Sequence, residues 1–234
     1  MSSELYNLAD LPEPVVRHLR YAGVADAVVP TVVRMRHTGD IRLRPDQRRS
    51  PHLALLRFTT DPPGFVREAR VRTAPLVVLR AHDELSGGVA RARVWPFRSY
   101  KSVDDTGYEV DQDAVVRFMS DTPWFPAVWR MPYISWEANG ADSAVMSVTI
   151  GGTLAHAVVN IDSSGALINF EADRFHRLGG GEWQLATWVM RYGPADSLAG
   201  IRAPLSADAT WRLADGDFPY IRFDVEDLSY DFRR

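Results

Sequence analysis

Apolar positions along the chain follow two periods. Val15, Val16, Leu19 and Ala22 recur at i, i+3/i+4 and i+7, the stripe of an amphipathic helix. Asp10 with Glu13 reads as a capping box ahead of it, and Pro12 and Pro14 suit a first turn. The period then shortens. Residues 31–38, 52–59, 65–71, 76–83 and 89–95 are β-branched or aromatic runs bounded by turn residues, which predicts strands. Ser86-Gly87-Gly88 predicts a hairpin turn. Asp61-Pro62-Pro63-Gly64 predicts a loop, because two prolines cannot join a central strand. A second helix interrupts the strands. Asp111 reads as its N-cap, Val115, Phe118, Met119 and Thr122 as one face, and Pro123-Trp124-Phe125-Pro126 as its end.

The rest reads as a long meander. Strands are predicted over 134–137, 144–150, 154–161, 166–176, 183–192, 207–213 and 218–230. Gly151-Gly152, Ser163-Ser164-Gly165, Gly179-Gly180-Gly181 and Asp215-Gly216-Asp217 fall between them at hairpin positions. Such a meander covers its apolar face either by packing as two sheets or by curling around a helix. Helices at the start and the middle favour the curl. The expected fold is mainly β with a minor helical part: a curved antiparallel sheet or half-barrel of about ten to twelve strands, wrapped around one or two helices and holding an interior apolar cavity. No repeat, low-complexity segment or linker divides the chain, so residues 1–234 are read as one β-barrel-like ligand-binding domain.

Composition narrows the chemistry. The absence of cysteine excludes disulfides and thiolate nucleophiles. A net charge of −3 leaves no footprint for nucleic acid. Lys101 is the one lysine among 27 basic residues, a bias that GC-rich codon usage explains most simply, with arginine-specific anion binding accounting for a few at most. Met1–Asp10 carries no basic segment followed by an apolar run, and no stretch approaches the roughly 18 apolar residues of a membrane span. A cytoplasmic location is therefore expected. Exposed edge strands would favour a homodimer.

Several motifs together carry a resemblance. Leu11-Pro12-Glu13-Pro14-Val15 with Leu19-Arg20-Tyr21, Asp61-Pro62-Pro63-Gly64-Phe65 and Trp124-Phe125-Pro126 resemble a widespread bacterial family of unknown function. Thr187-Trp188, Gly200-Ile201-Arg202-Ala203-Pro204 and Trp211-Arg212-Leu213 through Asp215-Gly216-Asp217-Phe218-Pro219-Tyr220 match its C-terminal pattern. The resemblance runs from about Leu11 to Tyr230. It implies a lipoprotein-carrier-like (LolA- or lipocalin-like) curved half-barrel with helices over its concave side, and an apolar ligand. It supplies no catalytic residues. The chain departs from the pattern at His18, where an aromatic residue is expected, and through Ala155-His156-Ala157.

Common cofactor and nucleophile motifs are absent: no Gly-x-Gly-x-x-Gly, P-loop, Gly-x-Ser-x-Gly or His-Glu-x-x-His occurs. No cofactor or metal is expected; His82-Asp83-Glu84 offers ligand-type side chains, but strand neighbours point to opposite faces. Along 166–176, Asn169, Glu171 and Asp173 share one face, and Ile168, Phe170, Ala172, Arg174 and His176 the other. If the carboxylates face inward, Glu171 and Asp173 suit acid–base work. If they face out, Arg174 and His176 enter the cavity instead. His156 shares a face with Leu154, Val158 and Asn160, and as a histidine it is a natural proton shuttle if that face is interior. Trp188, Met190 and Tyr192 form a face opposite Arg191, so either an aromatic wall or a buried cation needing Glu171 or an anion would point inward. His37, beside Val33 and Met35, is a further inward candidate. Met119, Trp124, Phe125 and Trp129 read as a sealing helix or as a lid over an apolar ligand.

These features predict a protein acting on or holding a hydrophobic small molecule. With no cofactor motif, the leading expectation is cofactor-independent catalysis in natural-product biosynthesis, a cyclisation or proton-transfer isomerisation. His156, Glu171 and Arg191 would carry the chemistry. The alternative is a non-catalytic binding protein or carrier for a lipid-like ligand. His37, Met119, Trp124, Phe125, Trp129, Trp188, Met190 and Tyr192 would line the site in either case.

Overall fold

The structure, a computed structural model, describes residues 5–95, 103–178 and 181–233. Strands alternate buried and exposed side chains over β1 Val32–Ile41, β2 Ser50–Thr60, β3 Pro63–Ala74, β4 Val77–Ser86, β5 Val89–Trp95 and β6 Val103–Asp105. Two helices follow the predicted places, α1 Glu13–Tyr21 and α2 Tyr108–Asp121. The second half holds β7 Ile134–Ala138, β8 Ser143–Ile150, β9 Thr153–Ile161, β10 Leu167–Arg177, β11 Trp183–Tyr192, β12 Ala195–Leu198, β13 Ile201–Pro204, β14 Ser206–Leu213 and β15 Gly216–Asp231.

Thirteen strands form one sheet in the order β6-β5-β4-β3-β2-β1-β15-β14-β11-β10-β9-β8-β7, and β12 pairs with β13 apart from it. Each half is a meander of antiparallel neighbours, because short turns join antiparallel strands. The halves meet where β1 pairs with β15, Val33 opposite Tyr230 and His37 opposite Val225. Helix α2 packs on β4 and β5 near one edge and on β8, β9 and β10 near the other, so the sheet curls around it. Helix α1 lies on β8 and β9. Beyond α2, short 3-10 turns at Thr122–Trp124 and Pro126–Arg130 send bulky side chains into the curl. Phe118, Met119, Trp124, Phe125 and Trp129 are all 0–1% exposed and fill the interior.

Three local expectations are corrected. The first helix has Pro12 at its N-cap with no side-chain cap; Asp10 sits in a separate 3-10 turn, and Glu13 instead pairs with Arg17 one turn on, at 2.6 Å. The second helix starts at Tyr108, so Asp111 is internal, and its carboxylate accepts a 2.6 Å hydrogen bond from the Ala90 N–H. Asp61-Pro62 is a tight turn joined by a cis peptide, and Pro63 opens β3 opposite Thr60. Proline is tolerated there because it is the first residue of the strand. The thirteen-stranded curled sheet is the mainly β half-barrel expected, close to the count of about ten to twelve strands, with short β6 and the β12–β13 pair as additions. The Gly179-Gly180-Gly181 turn lies partly outside the described residues.

Candidate functional site

The concave face is set by period-two alternation. On β3 it presents Phe65, Arg67, Ala69 and Val71, on β4 Leu79, Ala81, Asp83 and Leu85, and on β5 Ala90, Ala92 and Val94. Small residues leave room there: Ala69 lies opposite Ala81, and Asp83 opposite Ala92. Val110 and Ala114 of α2 face this wall across a cleft of about 250 Å³. Trp183, Trp211, His176 and Phe175 border the cleft from the other half of the sheet. Its volume falls just below the usual range of small-molecule pockets, about 300–1,000 Å³.

The floor of the cleft is charged. Arg67, Arg117, Arg174 and Tyr220 line both the cleft and a deeper chamber of about 30 Å³. His37, Ser120, Asp121, Trp188 and Met190 complete much of the chamber wall. The helix contributes Asp113, Arg117 and Asp121 at i, i+4 and i+8, one polar stripe along α2. Two of the arginines are held. Arg67 Nη1 donates to Asp83 Oδ2 at 2.8 Å, across a directly opposed pair of β3 and β4. Arg174 Nε donates to Asp113 Oδ1 at 2.7 Å, and its guanidinium lies 4.4 Å from the Trp188 ring centroid and 5.5 Å from that of Trp211. Gln112 fixes the helix beside them, donating to Asp173 O at 2.8 Å and accepting from Phe175 N–H at 3.2 Å. Arg117 differs: no described carboxylate forms an ion pair with it.

The electrostatics follow from this packing. Burial works against the charge on Arg117, but the nearby Asp113 and Asp83 carboxylates outweigh it and hold the guanidinium charged. Burial pushes Asp121 up to about 6, against the pull of Arg117, Arg67 and Arg174. His37 falls well below the usual histidine range through burial, then through Arg67, its neighbour His52 and Arg117. His52 Nε2 and His37 Nδ1 are 3.2 Å apart, so one of the pair carries the shared proton. Burial and Arg67 lower His52 to about 4. Three ring nitrogens near the site lack a partner among the described residues: Trp188 Nε1, Trp211 Nε1 and His176 Nδ1.

Of the residues proposed from sequence, His37, Trp188 and Met190 meet in the chamber wall. Tyr192 is buried beside it, its hydroxyl donating to Ser120 O at 2.8 Å. Met119, Trp124, Phe125 and Trp129 border none of the described cavities; they plug the adjoining core. There Trp124 Nε1 donates to Pro204 O at 2.8 Å and Trp129 Nε1 to Thr122 Oγ1 at 2.7 Å. His156, Glu171 and Arg191 stand on the convex face and border none of the described cavities. His156 is exposed and lies 2.8 Å from Ser147 Oγ, Glu171 accepts from Arg212 at 2.8 Å, and Arg191 is exposed. Arg174 and His176 enter the interior, as the outward placement of Glu171 and Asp173 requires. Sequence reasoning missed Arg67, Asp83, Asp113, Arg117 and Asp121. The available signal was a charge interrupting an apolar strand face at Arg67 and Asp83, and the i, i+4 ladder of α2.

Fold and site together define a curled-sheet protein whose interior holds a cleft of aliphatic, aromatic and charged side chains. The chain belongs to a family of unknown function, DUF6544, whose model matches residues 2–223. Comparison with curated proteins finds no match. Among solved structures, a DUF1329 family protein from Desulfovibrio piger ATCC 29098 aligns over 95% of this chain and 93% of its own, at 9% identity and a TM-score of 0.49. A putative outer membrane lipoprotein-sorting protein domain from Vibrio parahaemolyticus aligns over 96% and 93%, at 11% identity and a TM-score of 0.44. A LolA superfamily protein from Nitrosomonas europaea aligns over 94% and 92%, at 11% identity and a TM-score of 0.41.

Proposed function

We propose that the protein binds a small lipid-like molecule, its apolar body lying in the cleft between α2 and strands β3, β4 and β5. The observation that carries this reading is the alanine-lined wall: Ala69, Ala81, Ala90 and Ala92 of the sheet and Ala114 of α2 all border the cleft. Apolar walls with a few placed polar groups are the usual make-up of small-molecule sites. Binding or carriage is better supported than cyclisation or isomerisation, because the residues first considered for proton transfer lie on the convex face. The test is fluorescence of the neutral probe N-phenyl-1-naphthylamine, displaced by decanol. Ala81→Trp and Ala92→Trp should each fill the cleft and weaken probe binding about tenfold or more, the scale of a lost apolar contact, with circular dichroism unchanged. Probe binding equal in both variants would place the ligand elsewhere, and no binding to the native protein would remove the reading.

A further inference from the structure

We infer that the charged floor is a built anion site: Arg117 takes the carboxylate or phosphate end of the molecule whose apolar body occupies the cleft. The inference rests on the binding reading above and adds the chemical class of the ligand, an anionic amphiphile.

Three observations converge on it. First, Arg117 is a half-buried cation lining the chamber with no ion pair to a described carboxylate, whereas Arg67 and Arg174, which line it too, are each held at 2.7–2.8 Å by an aspartate. An interior charge without a partner is costly, and an anion placed against it removes that cost. Second, the indoles of Trp188 and Trp211 are 2% and 3% exposed, and their N–H groups have no acceptor among the described residues. A buried donor calls for an acceptor, and an oxyanion is all acceptor. Trp188 lines the chamber and Trp211 the cleft. Third, the chamber measures about 30 Å³ and shares Arg67, Arg117, Arg174 and Tyr220 with the cleft as common walls. At roughly 10–15 Å³ per water-sized occupant, it takes about two oxygens, the size of a head group and not of a chain.

Asp83 and Asp113 are engaged by Arg67 and Arg174 and, with Asp121, act on Arg117 only at longer range, so its hydrogen-bonding fork is not taken up by an ion pair with any of the three. The aliphatic cleft accepts a hydrocarbon, and the floor discriminates among heads. Carboxylate and phosphate share the chemistry Arg117 reads, since a guanidinium fork matches both.

The test compares decanoate, decyl phosphate and decanol by titration calorimetry on the full chain, with Arg117→Gln and Arg117→Lys alongside. Charge-assisted hydrogen bonds predict that at least one anion binds roughly tenfold to a hundredfold tighter than decanol. Whichever anion binds tighter names the head group. Arg117→Gln should erase that preference and leave decanol affinity within about threefold, while Arg117→Lys should retain part of it, since a lysine supplies the charge without the fork. Decanol binding as tightly as both anions, or a preference unchanged in Arg117→Gln, would overturn the anion site and leave the apolar cleft standing. If none of the three ligands bound, the cleft reading would fall with it.

Discussion

Gly88 and Gly151 meet backbone to backbone across the curl: a Cβ on Gly88 would lie 2.1 Å from Gly151 Cα, and one on Gly151 2.2 Å from Gly88 Cα. Gly88 ends the turn between β4 and β5, and Gly151 begins the turn between β8 and β9. These hairpins sit near opposite edges of the thirteen-stranded sheet, so their contact closes the curl at one end. The cleft extends the other way, toward Leu79 and Val94. Two turns that accept no side chain between them therefore help to set how far the sheet wraps and where it stays open.

Replacing either glycine by alanine should destabilise the fold by at least about 2 kcal/mol. The left-handed conformation at φ +85° or +59° costs a side chain roughly 1–2 kcal/mol, and backbone cannot move aside as a flexible side chain can. Gly87 is the control. It has φ +58° but open space around it, so Gly87→Asn should cost far less. Urea melts of the three variants check this, and equal losses would show that strain alone, not the contact, matters.

Much of the fold was legible because hydrophobic alternation and turn residues are local signals. The runs at 89–95 and 183–192 reappear with the same bounds as β5 and β11. Which face of β10 points inward was not local: Phe170, Ala172 and Arg174 turn in because α2 and its Asp113 and Gln112 wait there, a contact some sixty residues away in sequence. Ile168 shares their alternation by sequence count yet is 48% exposed, because a register shift between Leu167 and Asn169 breaks the alternation. The site was harder still. Arg67 and Asp83 join the site only because β3 and β4 place them opposite each other, and Arg117 because its helix packs against strands from both halves of the sheet.

The Arg67–Asp83 pair gives a second prediction. Their side chains are 9% and 18% exposed, so removing one partner strands the other in a partly desolvated wall. Arg67→Met or Asp83→Leu alone should cost roughly 3–5 kcal/mol, and the double variant much less than their sum, because a matched apolar pair leaves no orphan charge. Additive losses in a double-mutant cycle would show that the two do not act as a pair.

His18 should make the fold acid-sensitive. Its Nδ1 lies 2.9 Å from Gly165 O, so Nδ1 carries the proton and donates, while the buried Nε2 has no partner among the described residues. Burial lowers its pKa from 6.5 to about 4, against the bond to Gly165 that favours the charged ring. The unfolded chain thus takes up the proton first as pH falls. Stability is retained above about 6.5 and lost progressively toward 4, by about 3 kcal/mol from this residue. His18→Phe keeps a ring against Trp129, 4.7 Å away in the native protein, but does not titrate. Its stability should fall less than that of the native protein between pH 7 and 4; parallel curves would assign the acid sensitivity to other groups such as His37 and His52.

Asp121 should set how anion binding responds to pH. It shares the chamber with Arg117, Arg67, Arg174 and His37; His52 lies against His37, and Asp83, Asp113, His176 and Tyr220 line the adjoining cleft. Burial raises its carboxyl to about 6, whereas His37 is held well below 6.5 and His52 at about 4, so those two histidines stay neutral while Asp121 gains its proton. Below about 6 the carboxyl is neutral, no longer competes for Arg117, and leaves the chamber more positive. Decyl sulfate, ionised throughout, should therefore bind several-fold tighter at pH 5 than at pH 7, the scale of one like charge removed at partly screened range. Asp121→Asn should bind it tightly at both values. A native affinity that is flat across this range, or an unchanged pH response in Asp121→Asn, would show that Asp121 does not gate the charge of the floor.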